Sequence, residues 1–71
     1  MIIRYDPEAD ALSILFRETT VTTQNVQEGV AVELDQDGHL AGIEILDAVK
    51  RLGGRQTLQQ VTMEQVATGT V

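Results

Sequence analysis

The sequence predicts an α+β fold: an antiparallel β-meander of about four strands with a C-terminal helix packed on one face. Three observations lead there. Residues alternate between apolar and wetter positions through Val30–Asp35, and Ala11–Phe16 has the same period of two. Asp6-Pro7 and Asp35-Gln36-Asp37-Gly38 are turn signals that join neighbouring strands. After Ile45 the period changes and a helix-like stretch follows. We read one domain over residues 1–71, with the sheet over about 1–46 and a helical part over about 47–67.

Met1–Tyr5 (MIIRY) is short, apolar and β-branched, as a first strand should be. Asp6 can accept a backbone N–H just ahead of it, and Pro7 presets φ for a turn. Glu8, Ala9 and Asp10 complete a loop of about five residues. Ala11–Phe16 returns with Leu12, Ile14 and Phe16 on one face and Ala11, Ser13 and Leu15 on the other. The threonine-rich stretch Arg17–Gln27 suits an edge strand around Val21–Val26, with frayed ends, better than a loop. Gly29–Leu34 is the clearest strand, placing Val30, Val32 and Leu34 opposite Ala31 and Glu33. Gly38 can take the left-handed conformation its turn needs. His39–Ile45 is the partner strand, with Ala41, Ile43 and Ile45 on one face. Asp47 is placed to cap a helix through Leu52, with Lys50 and Arg51 where the helix dipole favours cations. Gly53-Gly54 stops that helix. Thr57-Leu58-Gln59-Gln60 has the form of a capping box for a second one, whose apolar side (Leu58, Val61, Thr62, Gln65) is thin.

Composition narrows the function. Five basic against eleven acidic residues give a net charge of −6. The only basic cluster is Lys50, Arg51 and Arg55, too small to neutralise a run of phosphates, so direct nucleic-acid binding is not expected. There is no cysteine, which excludes disulfides and thiolate metal sites and fits a cytoplasmic location. With a single histidine, a zinc site lacks ligands. No basic region precedes an apolar one at the start, so no signal peptide is expected. No apolar run approaches the roughly 20 residues of a membrane span.

Tyr5–Leu12 (YDPEADAL), the acid-glycine pair Glu28-Gly29 that opens a strand, and Gly42–Ala48 (GIEILDA) together resemble the small bacterial domain-of-unknown-function family 2283. The resemblance covers about Ile2–Leu52 and leaves the tail from Gly53 uncovered. It implies a small antiparallel sheet with a C-terminal helix in a homo-oligomer. It carries over no catalytic residue, ligand or cofactor. Some members are thought to be encoded beside small toxin-like proteins.

Each candidate for chemistry has a plainer structural reading beside it. Asp35, Asp37 and Gly38 resemble the start of a calcium loop, but Leu40 and Leu46 stand where glycine and glutamate are required. Asp6, Glu8 and Asp10 bring three carboxylates into one loop, where turn capping accounts for them. His39 titrates near neutrality, yet a strand start beside a turn is an exposed place for a general base. Ser13 lacks the glycines of a nucleophile elbow. Gly53-Gly54-Arg55 is not a phosphate loop, and dipole compensation explains Lys50, Arg51 and Arg55. Glu44 with Arg4 and Tyr5 on one sheet face would make a small binding site, or else a cross-strand ion pair on a wet face. The binding candidates are therefore Arg4, Tyr5, His39 and Glu44, with no catalytic residue, metal or cofactor expected.

The leading expectation is a non-enzymatic interaction module, in its sharpest form an acidic antidote to a small basic protein. The alternatives are a ligand-binding protein or small enzyme with its site at a homodimer interface, and a structural domain that assembles with itself. Both sheet faces carry apolar residues and one short tail cannot cover two, so a homodimer is expected.

Overall fold

In a computed structural model, which describes residues 1–65, five antiparallel strands form one sheet. They are β1 (Ile2–Asp6), β2 (Ala11–Leu15), β3 (Thr22–Gln27), β4 (Val30–Leu34) and β5 (Leu40–Leu46). The spatial order is β1-β2-β5-β4-β3. The α+β class and the antiparallel sheet stand; the four-stranded meander needs two corrections. The edge strand expected around Val21–Val26 is there, paired with β4 from Thr22 to Gln27, and it raises the strand count to five. An edge strand needs a partner on one side only, so its backbone is satisfied although every residue in it is exposed. And β5 does not stay at the end of the chain order: it inserts between β2 and β4 and pairs with both. Its apolar residues then sit at the centre of the sheet, where a strand has neighbours on both sides.

The second hairpin turn forms as expected. Gly38 has φ +83, its N–H bonds to the Asp35 carbonyl at 3.1 Å, and the Asp35 N–H bonds to the His39 carbonyl at 2.9 Å. In the first loop, Asp6 Oδ1 accepts the N–H groups of Glu8 (3.0 Å) and Ala9 (3.3 Å). That is the local capping its position before proline suggests.

The helical part differs from expectation. The α-helix α1 spans only Ala48–Arg51. Asp47 does not cap it: its φ is +53 and its side chain makes no cap bond. The cap comes from the first loop, where the Asp10 carbonyl accepts the Ala48 N–H (3.1 Å) and Asp10 Oδ1 accepts the Val49 N–H (3.1 Å). So α1 is fastened to the end of the sheet and is too short to cover a face. It stops at Gly53, φ +82, with the Gly54 N–H on the Val49 carbonyl at 2.8 Å and the Gly53 N–H on Lys50 at 3.3 Å. This is the Schellman arrangement expected of the glycine pair. A single 3-10 turn, Arg55–Leu58, follows in place of a second α-helix. Thr57 is not an N-cap; its hydroxyl donates to the Leu52 carbonyl at 2.9 Å, tying the turn back to α1. Residues 59–65 form no helix, in keeping with the thin apolar stripe there. The last two residues of the expected helical part, 66 and 67, lie outside the described residues.

The consequence is a small core. Among the described residues the buried apolar side chains are Leu12, Ala31, Ala41 and Ala48, and no large side chain is fully enclosed. The sheet is a single layer with a helical corner.

Candidate functional site

Residues directly opposite one another in an antiparallel ladder share a face, so the pairings define rows that cross all five strands. One row runs Ile3, Ile14, Ile43, Val32, Gln24, and the next runs Tyr5, Leu12, Ile45, Val30, Gln27. Leu34 extends this face, paired with Leu40 on one side and Thr22 on the other. No strand residue in these rows is charged. The opposite face holds the rows Ile2, Leu15, Gly42, Glu33, Thr23 and Arg4, Ser13, Glu44, Ala31, Asn25, with Asp6, Ala11 and Leu46 beyond them. Every charged strand residue of the sheet is on this second face.

That division separates the four binding candidates. Arg4 and Glu44 do share a face, but Ser13 of β2 stands between them, and no ion pair joins them among the described residues. Tyr5 lies on the other face, because consecutive strand residues point to opposite sides. His39 is at the far turn, with its side chain 75% exposed. A single site made from Arg4, Tyr5 and Glu44 is therefore not formed within one chain. A register shift between Glu33 and Leu34 also sets Leu40, not Ala41, opposite Leu34, which moves Leu40 off the face of Gly42 and Glu44.

Tyr5 has a different job. Its hydroxyl donates to Asp10 Oδ1 at 2.7 Å, the oxygen that also accepts from Val49. That hydrogen bond raises the Tyr5 pKa above its ordinary value, helped by desolvation and by the Asp10 charge. Arg51 likewise serves structure: its Nε donates to the Leu46 carbonyl at 3.0 Å, and its guanidinium lies over Gly29 where a side chain would collide with it.

Asp35, Asp37 and His39 bring ligand atoms within 4.8 Å of one another, the one such cluster of metal-binding residue types among those described. The Asp35 carboxylate is already committed, however. Oδ1 accepts the N–H groups of His39 (2.8 Å) and Asp37 (2.9 Å), and Oδ2 bonds the Arg17 guanidinium and faces His39 Nδ1 at 3.6 Å. Desolvation pushes this carboxyl up, but the His39 N–H, the Arg17 guanidinium and the Asp37 N–H outweigh it and hold it below the ordinary value. A carboxylate this well satisfied is a turn anchor. No local sequence signal marks the Arg17–Asp35 pair, because the two residues are 18 positions apart and only the folded sheet brings them together.

The two separated motifs meet in space. Tyr5 and Asp10 belong to YDPEADAL, Ala48 closes GIEILDA, and the bonds at Asp10 join them. No helix among the described residues is long and apolar enough to cross a membrane. No curated protein and no solved structure matches the chain. The family model for a protein of unknown function, DUF2283, matches residues 2–48, which takes in both motifs and all five strands, and the chain belongs to that family.

Proposed function

We propose that this is a non-enzymatic interaction module of the bacterial cytoplasm that works by contact with another protein. One observation carries the reading: all charged strand residues gather on one face of the sheet, three acidic (Asp6, Glu33, Glu44) against one basic (Arg4). Three of the chemically capable polar groups are engaged in the fold, Tyr5 and Asp10 in the α1 cap and Asp35 in its turn, and Arg4, His39 and Glu44 stand apart from one another. In its sharpest form the module is an acidic antidote to a small basic protein. The net charge of −6 and the placing of Glu33, Glu44 and Asp6 on one face favour a basic partner by steering and complementary fields.

The test is affinity purification of the tagged chain from its own host, with mass spectrometry of whatever co-elutes in stoichiometric amount. A single small basic protein is expected, with an association rate that falls steeply as salt rises. Purification without a stoichiometric partner, or association indifferent to salt, would refute the antidote.

A further inference from the structure

We infer that the uncharged face of the sheet is the contact surface for a second copy of this chain. Two copies would stack face to face as a two-layer sandwich. This goes beyond the interaction reading and does not depend on a basic partner.

The small core is the first ground. Among the described residues the buried apolar side chains are Leu12, Ala31, Ala41 and Ala48, and no large side chain is fully enclosed. The sheet by itself therefore hides little of its aliphatic surface from water.

Charge is the second ground, and it selects both the face and the occupant. Ile14, Ile43, Ile45, Val30, Val32 and Leu34 form a patch on β2, β5 and β4, each side chain only partly buried. Two copies with a net charge of −6 repel each other through any acidic surface. They can meet through this face without burying a charge, and Glu33, Glu44, Arg4 and Asp6 then all remain on the outer faces. A strongly basic partner would gain nothing from an uncharged patch, whereas a second copy presents the matching patch by symmetry. Sheets that pack this way sit about 10 Å apart with interdigitating aliphatic side chains, which suits rows of valine and isoleucine.

The chain has no cysteine, so single substitutions give a clean test. Ile14→Cys, Ile43→Cys and Val32→Cys sample the uncharged face, and Ser13→Cys and Glu44→Cys sample the other. After mild oxidation at micromolar concentration, at least one of the first three is expected to run as a disulfide-linked dimer on a non-reducing gel, and neither of the last two. Sedimentation equilibrium of the unsubstituted chain is expected to give twice the 7.8 kDa mass. A monomer by sedimentation overturns the proposal. Cross-linking confined to Ser13→Cys or Glu44→Cys, or a dimer in which none of the five cross-links, overturns the choice of face.

Discussion

Asp10 Oδ1 accepts the N–H of Val49 across 39 positions of sequence, and so the first loop of the protein caps its only described α-helix. The same oxygen receives the Tyr5 hydroxyl. Three elements therefore hang on one residue: β1 through the Tyr5 hydroxyl and α1 through the Val49 N–H on the Asp10 carboxylate, the Ala48 N–H on its backbone carbonyl, and the β1–β2 loop through Asp10 itself. Asp10 adopts φ +50, a left-handed value that aspartate tolerates better than most residues.

Substituting Asp10 separates these contributions. Asp10→Ala is expected to cost about 1–2 kcal/mol from the lost cap, with a further penalty for alanine at positive φ. Asp10→Asn keeps an acceptor oxygen and tolerates the backbone, and should stay close to the unsubstituted stability. Urea unfolding of the two variants compares them directly. Equal losses would show that charge, not the cap geometry, is what matters.

Tyr5 links the junction to pH. Its pKa is raised in the folded state, so the folded chain holds that proton more tightly than the unfolded one. The stability from the Tyr5–Asp10 bond is fully present below the unfolded tyrosine value of about 10 and is lost as pH rises through the folded value. Melting temperatures measured from pH 8 to 11 should fall at the alkaline end in the unsubstituted chain. Tyr5→Phe should start lower and show less of that decline.

Asp35 governs the acid side with the opposite sign. Its folded pKa is depressed, so its contribution is complete above the unfolded aspartate value of about 3.9 and disappears as pH falls through the folded value. Asp35→Ala removes two turn N–H bonds and the Arg17 partner together. A drop in melting temperature of about 4–8 °C at pH 7 is expected, because these three contacts are solvent-exposed and each is individually weak. The gap between variant and parent should narrow below pH 4. Added divalent cations should leave the parent's melting temperature unchanged, since a committed carboxylate has no oxygen to spare.

Gly42 tests close packing within the sheet. A Cβ there would stand 3.0 Å from the Ile14 carbonyl oxygen and 2.6 Å from Glu33 Oε1. Glu33 can swing away, but the β2 backbone cannot. Gly42→Ala is expected to destabilise by about 1–3 kcal/mol, read as a lower urea midpoint. A neutral result would mean that β2 and β5 can part locally.

The sequence made the strands legible because alternation and turn chemistry act over a few residues. Asp6-Pro7, the Asp35–Gly38 turn and the Gly53-Gly54 stop are all local, and all form as read. What the sequence concealed depends on register. Whether Tyr5 and Glu44 share a face is decided by strand alternation and by which strand β5 joins, and Arg4, though on the face of Glu44, is held apart from it by Ser13. Adjacency points to Asp47 as the cap of α1, whereas the side-chain oxygen that caps it belongs to Asp10, 39 positions from Val49. The capping-box pattern at Thr57 predicts a second helix, but too little apolar surface follows it and only the 3-10 turn Arg55–Leu58 forms. The gathering of all charged strand residues on one face required all four ladders at once.

The central claim is that this single-layer sheet completes its core by covering its uncharged face with another copy. The most direct measurement is the thermal midpoint as a function of chain concentration over a hundredfold range at fixed pH and salt. Folding coupled to dimer formation makes the midpoint rise steadily with concentration. A midpoint that does not move, for a chain that sediments as a monomer throughout the range, would contradict the claim.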